Sequence, residues 1–281
     1  MEAYKHSTGT FSADNGLDIF YQSWAAYKSR AALVVIHGLG EHSGRYETLL
    51  AALAGKNISL FIADVRGFGR SGGKRGCIER FRDYVSDVRM FIAQIKSKCH
   101  TAPLFMLGHS FGGIIAMQYV LAYNDSVSGL VLSSPALDFG SSAPAFLRGA
   151  ARLISGIVPN ATIAARGDFA GISRNMDYVE SCRRDKLLHG RISARLYTEA
   201  SKAAEDCMRR AYEITTPMLI VHGKADTIAD YRKSEVLFER LSSQDKNIRL
   251  FDGLYHQTFN EIPDDRDKVL AAVQEWFAEH I

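Results

Sequence analysis

Cysteine is scarce in this chain, four residues in 281, and Cys77, Cys99, Cys182 and Cys207 follow no metal-type spacing. That scatter argues against a metal module and fits free thiols in a reducing compartment, so a cytoplasmic location is expected. Charge of one sign is lacking too. A net +3 gives nucleic acid no electrostatic support as a partner at the whole-chain level. No apolar stretch approaches the roughly 20 residues that span a bilayer, and no low-complexity tract interrupts the pattern. The opening MEAYKHSTGTFSADNG has no apolar core of the kind a secretory signal carries, so none is expected. What remains is globular: 47% hydrophobic and 23% charged, long enough for one large core or one core with an inserted subdomain.

Short apolar runs recur along the chain: ALVVI (32–36), ISLFIA (58–63), PLFML (103–107), SGLVLS (128–133), PMLIV (217–221) and NIRLF (247–251). Residues 10–24, with Asp14-Asn15-Gly16 as a turn, read as a hairpin ahead of them. Between most runs lie stretches of helical periodicity. SGRYETLLAALAG opens with a candidate Ser cap, FRDYVSDVRMFIAQIKSK carries one apolar face, and DDRDKVLAAVQEWFAEHI gathers acids at its start. Strands apolar on both faces, alternating with helices, predict a mostly parallel eight-stranded sheet covered by helices on both sides. The rhythm breaks between 137 and 217, where no convincing strand occurs. The expectation is a core of residues 1–137 and 213–281 with a helical cap insertion at 138–212 over the carboxyl edge of the sheet. Residues 143–212 hold twelve Lys/Arg against seven Asp/Glu, a net +5, which leaves about −2 for the rest.

VVIHGLGEHSGRYE (34–47) imitates a dinucleotide site: a strand, a Gly-x-Gly turn, then a helical start, with Asp64 ending the next apolar run where a ribose would bind. Two things count against that reading. A hairpin precedes the strand, and Gly44 is one place off the Gly-x-Gly-x-x-Gly spacing. A third comes from LFMLGHSFGG, where Gly108-His109-Ser110-Phe111-Gly112 lies between an apolar run and a helical one. A serine on so tight a turn needs small residues two positions to either side, because strand and helix cross closely there. Such a turn lifts the hydroxyl above the sheet edge.

A serine hydroxyl becomes a nucleophile when a base takes its proton and a carboxylate orients that base. On this kind of sheet the partners follow in the order serine, acid, histidine, each after a later strand. Of the histidines beyond Ser110, His189 falls in the insertion, His222 in the apolar run that begins at Pro217, and His280 next to the C-terminus. His256 follows NIRLFDGLY, where a strand should end, and is the candidate base. The acid is Asp226 or Asp230; Asp226 is nearer the strand end, and Asp230 suits the cap of the next helix.

HGLGEHSGRYE, DVRGFGRSGGKRG, GHSFGG, HGKADTIAD and YHQTFNE, in this order and spacing, resemble the monoacylglycerol lipase/lysophospholipase branch of the α/β-hydrolase superfamily. ISRNMDYVE and DKLLHGRISARL also look like that family's cap. The resemblance covers nearly the whole chain. It implies a serine acyl-ester hydrolase with Ser110, Asp226 and His256 as triad, needing no cofactor or metal. Backbone N–H groups of Leu39 and Phe111 would hold the oxyanion. It also implies that Glu41 and Arg45 hold the oxyanion loop and approach the substrate's polar head; the bland alternative is a surface ion pair at a helix start. His37 and His109 read as buried scaffold, and DVRGFGRSGGKRG as pocket wall, since no Gly-Lys-Ser/Thr follows it. Phe68 stands where most relatives have His. Phe259 replaces a second polar ring of some monoacylglycerol-specific members, so a more apolar head-group wall is expected.

The partner this implies is a small acyl ester or lipid. Helix 145–158, apolar with two arginines, would either touch a membrane peripherally or pack as a lid on the site, and packing is the favoured expectation. A carbon–carbon bond hydrolase, a cofactor-free perhydrolase and a non-enzymatic acyl-binding module share the same triad pattern. Head-group preference and oligomeric state are not legible.

Overall fold

The computed structural model describes residues 4–97, 103–140, 144–164 and 169–281; Cys99 lies outside them. Strands β1 (Tyr4–Ser12) and β2 (Asp18–Ala26) form the expected hairpin, paired antiparallel from Tyr4↔Ala26 to Ser12↔Asp18. Then β3 (Ala31–Ile36), α1 (Glu47–Leu53), β4 (Ile58–Ala63), α2 (Arg82–Lys96), β5 (Leu104–His109), α3 (Phe111–Ala122) and β6 (Gly129–Ser133) alternate. A stretch outside the main sheet follows: α4 (Ala145–Ile157), β7 (Thr162–Ala164), α5 (Met176–Arg184), β8 (Arg191–Ser193) and α6 (Ala194–Arg210). The chain returns with β9 (Met218–Gly223), α7 (Tyr231–Arg240), β10 (Lys246–Phe251) and α8 (Pro263–His280).

The eight-stranded sheet runs β1-β2-β4-β3-β5-β6-β9-β10. β2 meets β4 antiparallel, and every pairing from β4 to β10 is parallel. β3, β5, β6 and β9 are buried at every residue, which is why each reads as an unbroken apolar run. Along β3 the side chains alternate between two cores. Ala32, Val34 and Ile36 join Phe91 of α2 and Ile114 of α3, while Leu33 and Val35 join Leu49 of α1 and Trp276 and Phe277 of α8. With β5, β9 and β10 parallel, the loops that follow them emerge at one edge, and these loops carry Ser110, Asp226 and His256.

Three local expectations are revised. Ser43 is not a cap: a short 3₁₀ turn, Ser43–Arg45, is capped by the His42 ring, which accepts from the Gly44 N–H, and α1 starts only at Glu47. The Ser43 N–H goes to Asp64 Oδ1 at 2.6 Å and the Arg70 N–H to Asp64 Oδ2 at 2.7 Å, so the carboxylate that imitates a ribose ligand is buried and ties two loops together. Between β6 and β9 a small antiparallel ladder, β7 with β8, was not foreseen; three-residue strands are too short to carry a period-2 signal. Finally, α4 lies against α6, with Ser155 Oγ 3.0 Å from Thr198 Oγ1 and Arg195 donating to the Ser155 carbonyl. Its outer side leaves Phe146 73%, Leu153 66% and Ile157 72% exposed, with Ile154 and Val158 beside them. One face of α4 thus packs on α6 while the other stays exposed. Among the described residues no helix is long and apolar enough to cross a membrane.

Candidate active site

Ser110 joins β5 to α3 with φ +52 and ψ −118. The turn closes only because its flanks are glycine. A Cβ on Gly108 would lie 2.6 Å from the Gly112 carbonyl oxygen, and one on Gly112 would lie 2.1 Å from that of Ile36. Held there, Ser110 Oγ is 2.8 Å from His256 Nε2. His256 Nδ1 is 2.7 Å from Asp226 Oδ2, and Asp226 Oδ1 accepts the backbone N–H groups of Ile228 and Ala229 at 2.8 and 3.0 Å. Burial pushes the Asp226 carboxyl up, but hydrogen bonds from His222 and His256, with the His256 charge, outweigh it and hold it well below the usual carboxylate range. Asp230, the other candidate acid, caps α7 by accepting the Arg232 N–H at 3.0 Å. Of the other late histidines, His189 lies within bonding distance of the Gly67 carbonyl, and His280 within reach of Asp245.

These side chains open onto a cavity of about 400 Å³ lined by, among others, Leu39, Phe111, Phe139, Ile172 and Leu188. A larger cleft of about 1070 Å³, bordered by Asp14, Arg66 and Arg80, shares none of its lining residues and carries both charge signs. Phe111 is the first residue of α3, where N–H groups have no intrahelical acceptor. Leu39, in the loop after β3, faces the same space. Both residues thus border the same space as Ser110.

Glu41 and Arg45 part company. Glu41 lines the cavity and takes no salt bridge from Arg45: its Oε2 accepts from the Gly38 N–H at 2.9 Å and Tyr46 OH at 3.1 Å, and its Oε1 accepts from the Gln257 amide. Burial works against its charge, yet His109, His37, the Gly38 N–H and Gln257 together hold its carboxyl below the usual value. Arg45 is not among the lining residues. It reaches α5, donating to Ser181 Oγ and Cys182 Sγ at 2.9 and 2.8 Å, with its guanidinium 4.6 Å from the Tyr178 ring centre. Tyr178 and Cys182 are the residues that face the cavity.

His37 is scaffold, accepting the Val65 N–H at Nε2 and donating to the Gly38 carbonyl through Nδ1. His109 is buried, donates through Nδ1 to the Ser133 carbonyl at 3.0 Å, and leaves Nε2 unpartnered at the cavity wall. Burial lowers its pKa to about 4, so at neutral pH that nitrogen is a lone-pair acceptor. Phe259 does not face the cavity: it packs with Leu254 and Val269 in the core beneath α8, and Gln257 lines the wall instead. Phe259 therefore does not supply the apolar wall expected of it. DVRGFGRSGGKRG stands one layer back: Phe68 stacks on His189 at 4.9 Å, and the Gly76 carbonyl accepts the Ser193 N–H. Sequence reading passed over Gln257, Tyr178 and His222. The motifs HGKADTIAD, ISRNMDYVE and YHQTFNE contain them, but nothing in the local pattern assigns them a role.

The family described as serine aminopeptidase, S33, matches residues 27–263. The monoacylglycerol lipase of Mycolicibacterium smegmatis is 29% identical over the whole of both chains. The monoglyceride lipase of Mus musculus is 31% identical over 95% of this chain and 89% of its own. Among solved structures, the monoacylglycerol lipase of Paleococcus ferrophilus superposes with a TM-score of 0.84 at 31% identity, over 99% of this chain and 100% of its own.

Proposed function

The chain belongs to the serine aminopeptidase S33 family, as an α/β-hydrolase similar to monoacylglycerol lipases, and on that premise we propose that it hydrolyses acyl glycerol esters through an acyl-enzyme on Ser110. The observation that carries the reading is the line Ser110–His256–Asp226, with contacts of 2.8 and 2.7 Å, opening on a cavity with mostly apolar walls. His256 takes the Ser110 proton as Oγ attacks the ester carbonyl. Asp226 fixes the ring so that Nδ1–H points at it and stabilises the imidazolium. The oxyanion is held by the Leu39 and Phe111 N–H groups, each worth roughly 3–4 kcal/mol in comparable sites. His256 then protonates the glycerol oxygen as it leaves, and a water deprotonated by the same ring frees the fatty acid. Glu41 and Gln257 present a polar wall to the glycerol hydroxyls, and Arg45 acts behind them by holding Tyr178 and Cys182.

Residues 138–212 act as a cap on this site. The exposed apolar residues of α4, within a stretch (143–212) of net +5, fit peripheral contact with an anionic lipid surface from which an acyl ester is drawn. A lysophospholipid would fill the same acyl cavity with a larger head.

Fluorophosphonate labelling of the wild type and of Ser110→Ala tests the nucleophile. Turnover is then compared across monoacylglycerols of increasing chain length, lysophosphatidylcholine, a vinylogous diketone and aminoacyl amides. Label on the wild type alone, with monoacylglycerols turned over fastest, is the expected result. Equal labelling of both proteins, or preference for the amides, would sink the proposal.

A further inference from the structure

His222, fully buried at the end of β9, has polar atoms at both ring nitrogens. Nε2 lies 3.0 Å from Asp226 Oδ2 and 3.2 Å from the Ala229 carbonyl oxygen. Both are acceptors, so Nε2 carries a proton. Nδ1 lies 2.8 Å from Ser234 Oγ on α7, also fully buried, and in the neutral ring the serine hydroxyl donates to it. Asp226 Oδ2 therefore accepts two N–H bonds, one from His222 and one from His256, while Oδ1 accepts two from the backbone. Four donors meet the roughly four lone-pair sites of the carboxylate, which leaves none vacant. The result is one chain of contacts, Ser234–His222–Asp226–His256–Ser110, with a serine hydroxyl at each end.

We propose that His222, held in one tautomer by Ser234, is a positioning residue that fixes the Asp226 carboxylate and moderates its grip on His256. The proposal rests on the reading above, in which Ser110, Asp226 and His256 perform the reaction. Two effects follow from one bond. The second N–H locks Oδ2 where His256 needs it, and it also draws off part of the charge that would otherwise stabilise the His256 imidazolium. Without it the carboxylate is looser, yet more negative toward His256. Two other ionisable groups face this array across the cavity floor. The His109 ring centre is 5.0 Å from that of His256, and Glu41 stands beyond it, held by Gly38 and Gln257. Neither bonds to Asp226, so both serve as an unchanged background.

The test compares His222→Leu, His222→Gln and Ser234→Ala with wild type on a soluble p-nitrophenyl ester, with fluorophosphonate labelling and a thermal melt for each. His222→Leu is expected to lower kcat by about ten- to a hundredfold through misplacement and to move the acid limb of the kcat/KM profile up by up to about one pH unit. His222→Gln, whose amide N–H reaches the same oxygen, recovers most of both. Ser234→Ala gives a smaller change of the same sign. If His222→Leu does not fold, the glutamine and Ser234 variants decide. A merely structural histidine lowers the melting temperature, leaves the acid limb in place and makes glutamine no better than leucine; that outcome overturns the proposal. Failure of the underlying reading is recognised separately, by wild type that does not label.

Discussion

At φ +52 and ψ −118, Ser110 is held in a conformation that only glycine enters without strain. Ser110→Ala keeps that strain and removes the proposed nucleophile, whereas Ser110→Gly removes both. Urea titration should find the glycine variant more stable than the alanine variant by about 1 kcal/mol, with both inactive on esters. A glycine variant no more stable than alanine would mean that the turn is relaxed. His109 gives a pH dependence with a defined sign. Its pKa falls from 6.5 to about 4 on burial, so between those values the unfolded chain binds the proton and the native one does not. Stability present above pH 6.5 is therefore lost progressively toward pH 4, by about 2 kcal/mol at pH 5. His109→Gln should flatten that part of the denaturation profile. Ser110 and His256 were legible in the sequence because each needs only a strand end and a spacing. Gln257 was not, since its amide finds Glu41 216 residues away, a meeting that no local pattern encodes.

Elements differ in how openly the sequence declares them. β3, β5, β6 and β9 read plainly because burial on both faces selects apolar residues without a break. α4 also reads as a helix, but periodicity only says that an apolar face exists, not what covers it. In the fold its neighbour is α6, and Phe146, Leu153 and Ile157 are left in solvent. Replacing Leu153 and Ile157 together by Ser should leave hydrolysis of a dissolved short-chain ester unchanged, because neither residue borders the cavity. Binding to anionic vesicles, measured by co-sedimentation, should fall at least tenfold, given about 1.5–3 kcal/mol per buried large apolar side chain. Unchanged vesicle binding would remove this helix from any lipid contact. Phe259 carries the converse lesson: its place three residues after His256 suggested a cavity wall, and the 3₁₀ turn Thr258–Asn260 directs it into the core instead.

For the whole molecule, the decisive contacts run between the core loops and the segment between β6 and β9. Gly76, at φ +66, accepts the Ser193 N–H, and a Cβ there would stand 2.0 Å from the Arg191 carbonyl oxygen. Gly40, at φ +81, meets His189 in the same way. Gly76→Ala should therefore cost about 2–3 kcal/mol and speed proteolysis between 138 and 212, with cleavage mapped by mass spectrometry; stability and nicking like the wild type would show that the segment does not depend on this junction. On the opposite side, Arg174 reaches the buried Glu261 and Asp265, and Glu261 in turn accepts the N–H of Tyr255, next to His256. By itself the sequence determined the layers and their order, the parallel sheet, the serine turn, and the strand ends where an acid and a base could stand. These follow from burial, chain stiffness and glycine, all of which act locally. The tertiary structure alone decided which nitrogen faces which oxygen: Asp226 between two histidines, Glu41 on Gln257, Arg45 turned to α5. Hydrogen bonds are directional over about 3 Å, and the partners come from strands and loops whose separation in sequence says nothing about their separation in space.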